Sequence, residues 1–178
     1  MSPRSDAQRN RDRILEVAAE ALAADPSTSL NAIAKRAGVG PGTLYRHFPT
    51  REDLILALYR HEVESLSAMV EELLEAEPPV AALRTWFLRL AELITIKHGL
   101  GEALNTAAAR AVIDGTYAPV LGAIRRLLDA GEAAGELRPG LDESDVLLLM
   151  SCIWRVPPGP AGAAQAERLL ETVISALR

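Results

Sequence analysis

The stretch from Gly38 to Thr50, which reads GVGPGTLYRHFPT, constrains the fold more than any other part of the sequence. Gly38 can adopt the positive φ at which many helices end, and Pro41 suits a first helical turn because its missing N–H has no partner there. Pro49 stops the helix that begins near Pro41. The stretch therefore predicts a sharp turn followed by a helix of less than two turns.

Two predicted helices come before this turn. The second begins after an N-cap at Ser29 and runs through Ala37. A supporting helix, a turn of about four residues and a second helix form a helix-turn-helix, whose second helix enters the major groove of DNA. The first predicted helix ends at Asp25-Pro26 and carries one apolar stripe of helical spacing, formed by Ile14, Val17, Ala18, Ala21 and Leu22.

The short helix carries polar, aromatic and cationic side chains on its free face. Val39, Leu44 and Phe48 are expected to pin it to the first two helices, since it is too short to be stable alone. Arg46 can donate two hydrogen bonds to a guanine, and the N-terminus of the helix that begins at Arg51 favours a phosphate. The alternative, that these are ordinary surface residues, stays open. On this basis we predict DNA contacts at Pro41, Gly42, Thr43, Tyr45, Arg46, His47 and Arg51.

The rest of the chain keeps a helical periodicity and lacks the long alternation that is typical of strands. A capping box at Thr50 to Asp53 is expected to open a long helix that continues through about Glu77. The fold class is therefore predicted to be all-α, with a helix-turn-helix domain over residues 1–54 joined by the long helix to a helical effector-binding and dimerisation domain over residues 55–178. Five further helices are expected, one ending near His98, one from Glu102 to Ile113, one around Val120 to Leu128, one from Glu143 to Val156 after an N-cap at Asp142, and one around Ala166 to Leu177.

Charge is unevenly distributed along the 178 residues. Residues 1–61 hold nine of the 19 Lys and Arg and seven of the 24 Asp and Glu, which leaves ten against seventeen for residues 62–178. A mildly basic first part before an acidic second part suits a small DNA-reading module attached to a domain that does not contact phosphates.

Several classes of protein are not expected from this composition. The polar N-terminus lacks the layout of a signal peptide, and the longest apolar run, from Val146 to Trp154, is too short to span a membrane, so we expect a cytoplasmic protein without a membrane partner. Cys152 is the only cysteine, which excludes an internal disulfide and a cysteine-based zinc site. With no glycine-rich phosphate loop and no Glu-x-x-His pair, we expect no cofactor, no metal and no enzymatic activity.

The residues from Arg13 to about Ala57 resemble the DNA-binding region of TetR-family transcriptional regulators. That family has a hydrophobic first helix and then a pattern close to T-x-x-x-I-A-x-x-A-G-V-S-x-G-T-L-Y-x-H-F-x-S-K-E-D-L, which residues 29–54 match. Gly40 departs from the usual serine, and Arg51 replaces the usual lysine. The resemblance implies DNA contacts at Ser29, Asn31, Thr43, Tyr45, His47 and Arg51, with Thr43, Tyr45 and Arg51 mainly on phosphates.

The same resemblance implies a homodimer and a pocket for a small molecule in the second part of the chain. Each pocket candidate has a structural alternative, and if Arg110 faces the cavity an anionic or carbonyl-bearing effector is favoured. The ligand candidates are Trp86, Asn105, Arg110, Tyr117 and Trp154, which are polar or aromatic residues among apolar positions. The two most apolar helices predict a dimer interface at Leu147, Met150, Trp154, Leu169, Leu170, Val173, Ile174 and Leu177. The alternative, that both helices are internal core of a monomer, stays open.

The predicted function is that of a sequence-specific DNA-binding transcriptional regulator. We expect a homodimeric repressor that binds a twofold-symmetric DNA operator and is released from it by a small-molecule effector of unknown identity. The alternative is a DNA-binding regulator that is controlled by a protein partner or that needs no ligand.

Overall fold

The computed structural model describes residues 3–99, 107–157 and 159–178, with side chains for residues 7–93, 114–153, 155–157 and 159–178. Every regular element in these ranges is a helix, which confirms the predicted all-α class. The chain divides into two compact units. Met1–Glu62 and Ile96–Asp114 form the first unit, and Val63–Thr95 and Gly115–Arg178 form the second.

Three helices and the beginning of a fourth build the first unit. These are α1 (Pro3–Ala24), α2 (Leu30–Ala37), α3 (Pro41–His47) and α4 (Arg51–Ala76), whose later residues belong to the second unit. Their apolar stripes meet in one core, as the helical spacing predicts. The fully buried members of this core are Ile14, Leu15, Ala18, Ala21, Leu22, Ile33, Ala34, Ala37, Leu44, Phe48, Leu54, Ile55 and Leu58.

The second unit contains the end of α4 and the remaining helices. These are α5 (Pro79–Gly99), α6 (Ala107–Ala133), α7 (Glu143–Met150), a short 3-10 helix (Ser151–Arg155) and α8 (Pro160–Leu177). Helices α5 and α6 also supply residues of the first unit near their adjoining ends.

Trp86 lies at the centre of the second unit. Its side chain is fully buried, packs edge-on against Phe87 at 5.3 Å between ring centroids, and donates its indole N–H to the carbonyl of Leu66 at 2.8 Å. A buried indole needs such an acceptor, because an unpaired N–H in an apolar interior is costly. Trp86 therefore holds α5 against α4 within this unit.

Helix α6 corrects the expectation of two separate helices in this part of the chain. It runs without interruption from Ala107 to Ala133 and contains Pro119. A proline inside a helix frees the carbonyl four residues earlier, which here belongs to the exposed Gly115. Since water can solvate that carbonyl, the helix continues. The predicted segment from Glu102 to Thr106 lies outside the described residues.

Helix α7 ends six residues earlier than the sequence predicts, although its N-cap is the expected one. The Asp142 carboxylate accepts hydrogen bonds from the amides of Ser144 and Asp145 at 2.9 and 3.1 Å. The Ser151 hydroxyl donates to the Leu148 carbonyl at 2.6 Å, and the chain tightens into a 3-10 helix. Val156 is extended because the following proline disfavours the helical conformation.

Candidate nucleic-acid interface

Helices α2 and α3 and the turn between them have the geometry of a helix-turn-helix. The Ser29 side chain accepts a hydrogen bond from the Ala32 amide at 3.2 Å, which caps α2 as predicted. Gly38 ends α2 with φ of 69°, and the Val39 amide donates to the Ala34 carbonyl at 3.0 Å. This left-handed end turns the chain abruptly into α3.

Helix α3 is held on its inner side by apolar packing, as the sequence predicts. Leu44 and Phe48 are buried in the core of the first unit, and Val39 packs against that core. The Arg11 guanidinium of α1 lies 5.7 Å from the centre of the Phe48 ring, which is within the range of a cation–π contact. A helix of seven residues is marginal alone, so these contacts fix its position.

The outer side of α3 presents polar side chains to solvent. Gly42, Tyr45 and Arg46 are exposed, with Tyr45 at 43% of its full surface, while Thr43 and His47 are half-buried. Arg46 donates to the Thr43 hydroxyl at 3.2 Å, one helical turn earlier. This bond orients the guanidinium along the outer face, where its remaining N–H groups are available to a ligand.

The beginning of α3 is free of bulky side chains. Gly40 is the N-cap and supplies no side-chain hydrogen bond, Pro41 follows it and is exposed, and a Cβ atom added at Gly40 or Gly42 would meet nothing within 4 Å. Another backbone can therefore come close to this end of the helix.

The three predicted contact residues outside α3 differ in their surroundings. Ser29 and Asn31 are exposed at the first turn of α2. Arg51 is half-buried at the start of α4, and its guanidinium donates to the carbonyls of Thr28 and Pro26. The sequence did not predict these two hydrogen bonds, because a bond between side chain and backbone across 23 or 25 residues leaves no periodic signal.

The segment between α1 and α2 is further stabilised by local hydrogen bonds. The Asp25 carboxylate accepts from the Ser27 hydroxyl at 2.7 Å and from the Ser27 amide at 2.9 Å, and these bonds hold the pKa of Asp25 below its ordinary value. Thr28 is buried and donates its hydroxyl to the carbonyls of Asp25 and Ala21. The segment between α1 and α2 therefore forms a turn with a fixed conformation.

The five ligand candidates of the second part of the chain have different positions. Trp86 is part of the core, with its N–H bonded to a carbonyl, whereas Tyr117 is 57% exposed on α6. Asn105 and the side chains of Arg110 and Trp154 lie outside the described residues.

Five of the eight residues predicted for a dimer interface are buried within the chain itself. Leu169 and Val173 are half-buried and can still contact a partner, while Leu148 and Leu149 in the same unit are 73% and 51% exposed. An apolar stripe does not reveal which of its positions pack internally. The buried residues are Leu147, Met150, Leu170, Ile174 and Leu177, which leave little surface for a partner.

The described part of the chain contains neither a membrane-spanning helix nor a cluster of metal-binding side chains. No described helix is long and apolar enough to cross a membrane. No three His, Cys, Asp or Glu side chains in the described ranges form a group that could hold a metal ion.

Two family models together match most of the chain. The model of bacterial regulatory proteins of the tetR family matches residues 14–58, which contain α2, α3 and the buried core residues of the first unit. The model of the C-terminal domain of SbtR-like transcriptional regulators matches residues 78–178, which is more than half of the chain.

Known proteins with similar sequences or structures are transcriptional regulators. A crystal structure of a TetR transcriptional regulator from Streptomyces coelicolor is 40% identical, covers 94% of this chain and 98% of that chain, and has a TM-score of 0.79. The HTH-type transcriptional repressor LfrR of Mycolicibacterium smegmatis is 42% identical over 78 residues, which are 43% of this chain and only 41% of that curated repressor. A crystal structure of the TetR-like regulator LfrR from Mycobacterium smegmatis in complex with proflavine is 27% identical, covers 96% of this chain and 94% of that chain, and has a TM-score of 0.60.

Proposed function

Because the chain belongs to the TetR family of transcriptional regulators, and is therefore a DNA-binding regulator rather than an enzyme, we propose that it is a homodimeric repressor that a small-molecule effector releases from DNA. The observation that carries this proposal is the outer face of α3. It holds Thr43, Tyr45 and Arg46 toward solvent, and Arg46 is oriented by its bond to Thr43.

The chemistry of this face suits the major groove. In the proposed complex, Arg46 donates two hydrogen bonds to a guanine, Thr43 and His47 contact bases or phosphates, and Tyr45 donates to a phosphate. Pro41 and Gly42 let the helix end come close to the DNA backbone, while Ser29 and Asn31 at the start of α2 contact the neighbouring phosphates. These contacts set both affinity and sequence preference.

A homodimer follows from how little DNA one short helix can read. Two copies related by a twofold axis place two such helices in successive major grooves and recognise a twofold-symmetric operator. We propose that the second copy covers the exposed Leu148 and Leu149 of α7 together with Leu169 and Val173 of α8, since apolar side chains left in water favour burial against a partner.

The dimer is expected to dissociate when a charge is placed on this surface. Leu149→Glu should convert a particle of about 38 kDa, twice the 19.1 kDa chain, into a folded monomer, because an unpaired carboxylate in an apolar interface is costly. Light scattering after gel filtration measures the mass. Ala134→Glu, which adds the same charge at an exposed loop position, is the control and should remain dimeric. A monomeric wild type, or a dimeric Leu149→Glu, would exclude this interface.

The similar regulator LfrR from Mycobacterium smegmatis has been solved in complex with proflavine. We propose that an effector bound in the helical domain shifts the equilibrium between two arrangements of α4, which is one continuous helix from the DNA-reading unit into the second unit. The two reading helices of the dimer then no longer match successive grooves, and the operator is released.

Calorimetric titration with proflavine, in the absence of DNA because proflavine is itself a planar DNA ligand, tests for such a site. We expect saturable binding with a fixed stoichiometry per dimer, and we expect 8-anilinonaphthalene sulfonate to compete. If the folded protein binds neither compound, control by a protein partner or the absence of any ligand becomes the favoured account.

A further inference from the structure

The guanidinium of Arg51 faces the protein with both of its terminal nitrogens. Nη1 donates to the carbonyl of Thr28, and Nη2 donates to the carbonyl of Pro26. Both carbonyls belong to the segment that joins α1 to α2. Arg51 thus connects the first residue of α4 to a segment that lies more than 20 residues earlier in the chain.

That segment determines where α2 begins. The side chains of Ser27 and Thr28 bond over short sequence distances, to Asp25 and to Ala21 of α1, while Ser29 caps α2 directly after them. These local bonds shape the turn and join it to the helices on either side of it, α1 and α2. The two bonds from Arg51 supply such a connection to α4.

The start of α4 already has a negative group. The Asp53 carboxylate accepts from the Thr50 amide at 3.0 Å and from its hydroxyl at 2.8 Å, while the Thr50 hydroxyl accepts from the Asp53 amide at 3.1 Å. Glu52 adds a second carboxylate in the same turn. These carboxylates already interact favourably with the positive end of the helix dipole and would repel a phosphate placed there.

We propose that Arg51 is a positioning residue for DNA recognition rather than a phosphate contact. By holding Pro26 and Thr28 it fixes the first turn of α2, which presents Ser29 and Asn31. The planar guanidinium is needed because it reaches two carbonyls at once, which the single ammonium of a lysine cannot do in the same geometry. This inference rests on the proposed docking of α2 and α3 on DNA and replaces the role that the family resemblance implies for Arg51.

Two variants of Arg51 distinguish the effect of its charge from that of its two hydrogen bonds. Arg51→Lys keeps the positive charge and Arg51→Gln removes it, while neither reproduces the bridge to both carbonyls. Both variants should bind a duplex selected for the wild type about tenfold more weakly, because both lose the two-carbonyl bridge. The slope of the logarithm of affinity against the logarithm of salt concentration should stay at the wild-type value, since no counterion release is lost. Affinities are measured by fluorescence anisotropy well below the unfolding midpoint of each variant.

A double-mutant cycle with Asn31→Ala shows whether Arg51 acts through α2. The loss caused by Asn31→Ala should be several-fold smaller in the Arg51→Lys background, because the displaced helix start no longer delivers Asn31 to the DNA. If Arg51→Lys only lowered the stability of the protein, the affinity losses caused by the two substitutions would simply multiply. Amide hydrogen exchange of free Arg51→Lys should also become faster at Ala32 and Ile33.

Wild-type affinity of Arg51→Lys would overturn the proposal, as would a shallower salt slope in Arg51→Gln or full multiplicativity in the cycle. These results are distinct from a failure of the proposed DNA-binding function. That function fails if the wild type selects no duplex at all, whereas the positioning role of Arg51 fails if amide exchange at Ala32 and Ile33 in free Arg51→Lys equals that of the wild type.

Discussion

Arg46→Ala is expected to weaken binding to the selected duplex by a factor of roughly 30 to 25,000, since a bidentate arginine–guanine contact contributes about 1–3 kcal/mol and occurs twice in a twofold complex. The bond from Arg46 to Thr43 orients the guanidinium before binding, so little conformational entropy is lost on contact. The preference for one base pair in each half-site should also relax. Competition binding against duplexes that differ at single positions measures both effects.

Two variants give this experiment its controls. Arg60→Ala removes the same charge from an exposed position on α4 and should bind like the wild type. Tyr45→Ala removes a proposed phosphate contact, so it should weaken all duplexes by a similar factor and leave the base preference intact. If Arg46→Ala retains wild-type affinity and selectivity, then the outer face of α3 does not read bases.

Gly162→Ala is expected to destabilise the second unit by about 1–3 kcal/mol or more, the usual cost of forcing extra atoms into a packed site. A Cβ at Gly162 would lie 1.7 Å from the carbonyl oxygen of Pro157 and 3.2 Å from Cγ1 of Val156. The oxygen belongs to the backbone and cannot rotate away as a side chain would. The chain before α8, or α8 itself, has to move.

Thermal unfolding at a fixed protein concentration measures this effect, and Gly122→Ala is the matched control. Gly122 lies within α6 and has open space where a Cβ would go, so alanine there should raise stability by up to about 1 kcal/mol through its higher helix propensity. An unfolding midpoint for Gly162→Ala equal to that of Gly122→Ala would show that the close approach of Pro157 to α8 is not maintained in solution.

The parts of the fold that local chemistry determines were predictable from the sequence. Ser29, Gly38 and Pro41 fix the ends of α2 and the start of α3 through their own caps and dihedral preferences, and the structure has them as predicted. The burial of Leu44 and Phe48, which packs α3 against the core, was predictable from their helical spacing.

The parts that depend on the surroundings of a residue in the folded chain were not predictable in the same way. Pro119 is a helix breaker by propensity, yet α6 continues through it because solvent accommodates the freed carbonyl. Leu148 and Leu149 are indistinguishable by hydropathy from the buried Leu147, so a single apolar run could not separate the core of the chain from its surface. The hydrogen bonds from Arg51 to the carbonyls of Pro26 and Thr28 form only when the first unit is folded, so no local pattern in the sequence indicates them.

Selection of duplexes from a random-sequence pool by the wild-type protein tests the central claim most directly. The claim is that two copies of α3 read DNA as a twofold pair. We expect enrichment of a twofold-symmetric sequence whose half-site centres are about 10 base pairs or a multiple of this apart, and we expect Arg46→Ala to lose selectivity at one symmetric pair of positions. Enrichment of an asymmetric site, or no enrichment, would contradict the account.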